Sequence, residues 1–207
     1  MAFVGLLLMA GIGVIAIEAV GYNRGGYNSA FWQLPLDDKL NRIAEHRWEW
    51  WWIATWELVG LFLMTGGLAG LTSFLVAEGE PVLASVAFGG YLVALFAWVS
   101  GLLAQTAAGS QAAAQRADSG ETPTWIHPIW EAAYFGEGAW IVGSNLAYAL
   151  IGVAILQSGL VGAWAGWAAL GVGLMIPVAF AATRFGFPQL GVIVPFILGV
   201  AVLVEAF

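Results

Sequence analysis

The sequence predicts an all-α membrane protein: one bundle of six transmembrane helices formed by residues 1–207, with an amphipathic helical segment before the second helix. Composition is the first observation, because 61% of the 207 residues are apolar and only 9% are charged, whereas soluble domains carry about 25% charged residues. The second is a set of six apolar runs, each long enough to cross a hydrocarbon core of about 30 Å. The runs are continuously apolar, which favours helices over the alternating strands of a membrane barrel.

The expected spans cover residues 2–20, 50–77, 81–105, 129–156, 159–183 and 187–207. We interpret the first as a retained helix rather than a signal peptide, because no Lys or Arg precedes it and Glu18 lies near its end. The sequence contains no cysteine, which excludes disulfide bonds and thiolate metal sites.

All six basic residues fall in loops that the six spans place on one face of the membrane. They are Arg24, Lys39, Arg42 and Arg47 after the first span, Arg116 after the third and Arg184 after the fifth. Lys and Arg in short loops are retained in the cytoplasm, so we expect a multi-pass cell-membrane protein with both termini outside the cytoplasm. The formal net charge of -7 argues against a nucleic-acid partner, since nucleic acids are polyanions.

Two of these loops have contrasting compositions. Residues 35–46 place Leu36, Leu40 and Ile43 on one apolar stripe, which predicts an amphipathic cytoplasmic helix. This helix either lies in the membrane interface or continues into the second span as a rod, since no helix breaker separates them. Residues 107–124 are mostly small or polar, and we expect them to be mobile or only locally helical.

The chain is rich in tryptophan, with 12 residues, and more than half of them are expected at the cytoplasmic boundary of the membrane. These are Trp32, Trp48, Trp50, Trp51, Trp52, Trp125 and Trp130. Indole rings prefer the headgroup region, so anchoring is the simpler interpretation. The alternative is an aromatic-lined pocket for a flat ligand.

Six polar residues inside the expected spans form a candidate site. They are Glu18, Glu57, Glu137, Ser144, Asn145 and Tyr148. The three glutamates fall in the cytoplasmic half of the bilayer, and a charge at the bilayer centre costs at least about 2.5 kcal/mol, so it usually faces the bundle interior. The other three lie on or beside the Glu137 face of the fourth span. Together they predict a polar cavity, unless they serve only to pack and hydrogen-bond the helices.

Each of the two histidines precedes a glutamate near the cytoplasmic boundary, which gives an alternative metal or haem site. His46 and Glu49 are three residues apart, and His127 and Glu131 are four apart, so each pair can chelate from one helical turn. The residue order differs from the Glu-x-x-His pattern of dinuclear bundle sites. His127 precedes Pro128 and is expected to cap its helix from outside. We therefore expect no cofactor, with haem or a divalent metal as the alternative.

The sequence contains no phosphate-binding loop, dinucleotide fingerprint or nucleophile elbow, which favours a non-enzymatic role. The preferred hypothesis is a small carrier or receptor-like module with a cytoplasm-facing polar cavity for an ion or a small or lipophilic ligand. The alternatives are an accessory or structural subunit of a membrane complex and a membrane haem- or metal-binding redox protein. The expected partners are the lipid bilayer, an ion or small-molecule ligand, and a membrane-protein partner or a second copy of the chain.

Overall fold

A computed structural model of the chain describes residues 1–27, 29–183 and 191–207. Within these ranges the regular elements are helices and no strand occurs, so the prediction of an all-α fold is confirmed. In chain order the helices are α1 (Ala2–Gly25), α2 (Ser29–Gln33), α3 (Leu36–Glu45), α4 (Arg47–Ala77), α5 (Pro81–Ser119), α6 (Ile126–Ser158), α7 (Ala163–Thr183) and α8 (Ile193–Ala206).

Within the described residues, five helices are long and apolar enough to cross a membrane: α1, α4, α5, α6 and α7. They correspond to the first five expected spans, and α1, α4, α5 and α6 begin earlier or end later than the apolar runs themselves. The sixth expected span, residues 187–207, begins outside the described residues. Its described part, α8, is an apolar helix of 14 residues. The structure thus gives five candidate spans and one shorter apolar helix where the sequence predicts six spans.

The six apolar helices form a ring in chain order. α1 packs against α4, each later helix packs against the next, and α8 returns to α1. The interior of the ring is a continuous apolar core in which Leu8, Met64, Leu68 and Trp140 are almost completely buried. This closed arrangement leaves the large apolar side chains on the outer surface to face lipid.

Glycines allow neighbouring helices of the ring to approach closely. A Cβ atom at Gly11 of α1 would lie only 2.7 Å from the carbonyl oxygen of Gly60 in α4. Between α5 and α6, a Cβ atom at Gly136 would lie 2.6 Å from the carbonyl oxygen of Ala97. Small residues at such crossings are typical of membrane helices, because close backbone contact supplies the packing energy that the hydrophobic effect does not supply in lipid.

The long helix α5 corrects one expectation. It contains 39 residues, which corresponds to about 58 Å at the helical rise per residue and exceeds a hydrocarbon core of about 30 Å. The prediction that residues 107–124 are mobile or only locally helical is wrong for most of that segment, because the helix continues to Ser119. Alanine and glutamine are strong helix formers, and Ala112 and Ala113 are buried in a cluster that also holds Ile43 of α3.

The segment between α1 and α4 folds over one end of the ring, and we call Tyr27, α2 and α3 the cap. α3 and α4 do not form a continuous rod, since the chain turns at His46, whose φ is -126° and ψ 44°. The Tyr27 hydroxyl donates a hydrogen bond of 2.9 Å to the carbonyl oxygen of His46. Leu40 and Ile43 are fully buried, so the apolar stripe of α3 packs on the protein itself.

Five of the six basic residues lie at the end of the ring that carries the cap, which we call the basic end. They are Arg24, Lys39, Arg42, Arg47 and Arg116. Arg116 joins α5 to the cap, because its Nη1 lies 3.4 Å from Asp37 Oδ2 and its Nε donates a 2.9 Å hydrogen bond to Asn41 Oδ1. The sixth basic residue, Arg184, lies outside the described residues.

Candidate functional site

The contact between α1 and α4 sets the relative depth of two glutamates. The facing pairs along these antiparallel helices are Gly11 with Met64, Ile15 with Gly60, and Gly21 with Ile53. Counting along both helices from these contacts places Glu18 opposite Glu57. The Glu18 side chain is 3% exposed and the Glu57 side chain is 5% exposed. Both carboxyl groups therefore lie inside the ring or at the contact between α1 and α4.

The third glutamate reaches the same depth from α6. Trp50 of α4 and Trp130 of α6 stack with ring centroids 6.2 Å apart and planes 6° apart. Glu57 and Glu137 each follow the tryptophan of their own helix by seven residues, which places both about 10.5 Å further along parallel helices. We call Glu18, Glu57 and Glu137 the glutamate level.

Trp98 of α5 is the hydrogen-bond partner of Glu57. Its Nε1–H donates a bond of 2.9 Å to Glu57 Oε1, and both side chains are buried. A hydrogen bond to an ionised group contributes about 1.5–3 kcal/mol. Trp98 is not among the site residues predicted from the sequence, although its position in a span indicated a buried hydrogen-bond acceptor nearby. A tryptophan in the middle of a span, away from the headgroup boundary, requires an acceptor inside the protein for its N–H.

Within the described residues, no Lys or Arg forms an ion pair with Glu57 or Glu137. Every Lys and Arg in the part of the chain that the structure describes lies at the basic end. A carboxylate in a low-dielectric interior is strongly disfavoured unless it binds a proton or a cation. Glu57 and Glu137 can therefore bind one or more protons, or a small cation, between α4 and α6.

An aromatic cluster covers the glutamate level on the side of the basic end. Tyr27, Phe31 and Trp32 of the cap contact Trp50, with ring centroids 5.2, 6.0 and 6.2 Å from it. Trp50 is fixed further by a hydrogen bond of 3.1 Å from its Nε1 to the carbonyl oxygen of Thr106. Burial raises the pKa of the Tyr27 hydroxyl above its ordinary value, and the nearby Glu49 adds to the shift. Two of the tryptophans expected at the membrane boundary, Trp32 and Trp50, thus pack together and close the basic end of the bundle.

The remaining three candidate residues do not join the glutamates. Ser144 and Asn145 follow Glu137 by seven and eight residues, a rise of about 10–12 Å, and both bond back to their own helix. The Ser144 hydroxyl donates to the carbonyl oxygen of Trp140 at 2.6 Å, and Asn145 Nδ2 donates to that of Ile141 at 2.8 Å. These contacts are typical of polar residues that pack between membrane helices.

Tyr148 belongs to a second polar group deeper in the ring, together with Thr65 and Tyr91. The hydroxyl oxygens of Thr65 and Tyr91 lie 3.0 Å apart, and the rings of Tyr91 and Tyr148 are 5.9 Å apart. Thr65 follows Glu57 by eight residues, about 12 Å of helical rise. We call these three residues the tyrosine level. Within the described residues, the buried Tyr148 hydroxyl and Asn145 Oδ1 have no hydrogen-bond partner.

The residues of the alternative metal site remain apart. His46 Nδ1 lies 3.9 Å from Glu49 Oε2, whereas His127 and Glu131 are exposed on α6. Over residues 1–27, 29–183 and 191–207, no group of three or more His, Asp or Glu side chains is arranged to hold a metal ion. The expectation that His127 caps its helix from outside is wrong, because α6 begins at Ile126 and includes this histidine in its first turn.

No family model, no curated protein and no solved structure matches this chain.

Proposed function

We propose that this protein is a small carrier or receptor-like module of the cell membrane that binds a proton or another small cation at Glu57 and Glu137 of the glutamate level. One observation carries the proposal: Glu57 and Glu137 come from two different helices to one depth of the bundle, and no Lys or Arg of the described residues forms an ion pair with either. Acidic residues inside a membrane bundle are costly and usually mark an ion or proton pathway.

We propose further that α8, with the residues before it, forms a sixth span and that the basic end faces the cytoplasm. The contact of α8 with both α1 and α7 supports the sixth span, since it closes the ring. The grouping of the five described basic residues at one end supports the orientation through the positive-inside rule. In this arrangement both termini lie outside the cytoplasm.

The cap gives the proposed carrier its closed side. The aromatic cluster and the buried residues Leu40 and Ile43 separate the glutamate level from the basic end. Access from the cytoplasm therefore requires the cap or the Trp50–Trp130 stack to move, and the described conformation is one in which that side is closed. A carrier needs such a state, because it exposes its site to one side of the membrane at a time.

Infrared difference spectroscopy on the purified protein tests the proposal directly. The spectrum is recorded between acidic and alkaline pH, and again with Na⁺ added at fixed pH, to follow the C=O stretch of buried protonated carboxyl groups. We expect a band that changes with pH or Na⁺, and we expect Glu57→Gln and Glu137→Gln each to remove most of that change. The physical reason is that the amide keeps the shape of the side chain but binds neither a proton nor a cation by charge.

Glu45→Gln is the matched control, because Glu45 is an exposed glutamate of α3, and this variant should keep the buried band. Reconstitution of the same variants into liposomes that contain a pH-sensitive dye then distinguishes a carrier from a receptor-like module. Wild-type spectra that do not respond to pH or Na⁺, or responses unchanged in both glutamine variants, would refute the cation site. That result would favour the accessory-subunit alternative.

A further inference from the structure

Lys39 is a buried cation at the junction of the cap with α6. Its side chain belongs to α3 and is 7% exposed. Nζ lies 3.2 Å from the hydroxyl oxygen of Tyr134 and is 5.9 and 5.8 Å from the ring centroids of Trp130 and Tyr134. Two aromatic rings and one hydroxyl therefore account for the contacts of this ammonium group, and they leave donor capacity on Nζ unused.

No carboxylate pairs with this ammonium group within the described residues. The ion pairs there join His46 with Glu49 and Arg116 with Asp37. Asp37, the acidic residue two positions before Lys39, also accepts a hydrogen bond from Thr122 at 2.6 Å. A buried charge without a counter-charge is costly, even where aromatic rings contribute cation–π attraction.

The indole N–H of Trp130, beside Lys39, is a second buried donor without an acceptor among the described residues. Its stacking partner Trp50 gives the internal comparison, because the Nε1 of Trp50 donates to a backbone carbonyl oxygen. The indole N–H of Trp50 is thus satisfied by the protein, whereas the indole of Trp130 adjoins an ammonium group that has no carboxylate partner among the described residues.

We propose that Lys39 and Trp130 bind a phosphate-class anion, and specifically the phosphate of a membrane phospholipid headgroup. An ammonium group and an indole N–H together match a group with several acceptor oxygens and a negative charge. The lipid source is favoured by position. Tyr134 is 41% exposed and the adjacent Phe135 is 80% exposed, so the site borders the outer apolar surface of α6, at the end of the ring where the basic residues gather. The proposal does not depend on the glutamate level.

The test measures ligand-dependent thermal stability of the full-length protein in a neutral detergent. The probes are a short-chain phosphatidylglycerol, a diacylglycerol with the same chains and no phosphate, and inorganic phosphate. We expect the phospholipid to raise the unfolding temperature and the diacylglycerol to have no effect. Lys39→Gln should weaken apparent phospholipid affinity about tenfold or more, as expected for loss of a charge-assisted hydrogen bond.

Arg47→Gln is the matched control, since it removes the same charge from an exposed position at the basic end, and it should retain the wild-type affinity. Trp130→Phe keeps an aromatic ring but loses the N–H donor, and it should weaken binding less than Lys39→Gln. This variant also tests the site independently if Lys39→Gln does not fold. Equal protection by inorganic phosphate would keep the anion site and overturn the lipid assignment. Equal protection by diacylglycerol, or wild-type affinity in both Lys39→Gln and Trp130→Phe, would overturn the site.

Discussion

The glutamate level and the tyrosine level lie in the same ring, about 12 Å apart along α4, but their polar groups are satisfied in different ways. At the glutamate level, a tryptophan from one helix donates to a carboxyl group of another, and a second carboxyl group reaches the same depth from a third helix. At the tyrosine level, every side chain is uncharged, and Thr65 pairs with Tyr91. Ser144 and Asn145, nearby on α6, bond back to their own helix.

This difference separates polar residues that only support packing from those that point to ligand binding. A hydroxyl or amide group can satisfy itself on the backbone of its own helix, so its burial requires no ligand. A carboxylate cannot do so, because it has no proton to donate to a carbonyl oxygen unless it becomes neutral. A buried carboxyl group such as that of Glu57 is therefore costly unless it binds a proton or a cation, while most of the tyrosine level is explained by helix packing.

The largest expected effect comes from forcing apart the helices that bring Glu137 to its level. We expect Gly136→Ala to lower the free energy of unfolding by about 1–3 kcal/mol, as for an overpacked core, because the new Cβ atom would meet the Ala97 carbonyl oxygen at 2.6 Å. The variant should also reduce the pH-dependent carboxyl band. Gly138→Ala is the control, since its nearest neighbour would be Phe180 at 3.4 Å. Detergent unfolding followed by tryptophan fluorescence measures both variants, and equal stability would show that the α5–α6 contact does not set the level.

A pair of tyrosine variants compares a satisfied hydroxyl group with an unpartnered one. Tyr91→Phe removes the hydrogen bond to Thr65 and should lower the free energy of unfolding by about 1 kcal/mol. Tyr148→Phe removes a buried hydroxyl that has no partner in the described ranges, so it should leave that free energy unchanged or raise it. The same unfolding assay applies. A loss at Tyr148 as large as that at Tyr91 would show that its hydroxyl is satisfied by a bound molecule or by residues outside those ranges.

The smallest expected effect concerns Tyr27, a buried tyrosine outside the spans whose hydroxyl is well bonded. Burial raises its pKa above the value of about 10 of an exposed tyrosine, so the unfolded chain loses this proton at lower pH than the folded chain. The associated stability is present below about pH 10 and falls as the pH rises above it. We expect wild-type protein to lose stability more steeply than Tyr27→Phe in this alkaline range, measured by unfolding at several pH values. Parallel curves would mean that the cap does not hold this hydroxyl away from solvent.

Much of the fold follows from local composition. Continuous apolar runs predict helices that cross a membrane, and five such helices are present. Helical spacing placed the glutamates in one half of the bilayer, because depth along a span depends only on the count of residues from its end. The same reasoning failed for residues 107–124, whose small side chains gain their order by packing under α3, a contact that no local pattern reveals.

The sequence by itself determined the membrane class, the helical fold and the identity of the costly intramembrane carboxyl groups, because these depend on residue type and on period along one chain. Only the tertiary structure decided which helices adjoin and in what register. It brought Glu18 and Glu57 to one level, gave Glu57 its donor in Trp98, and left Ser144, Asn145 and Tyr148 elsewhere. The physical reason is that register is fixed by close contacts between glycines and facing side chains on different helices.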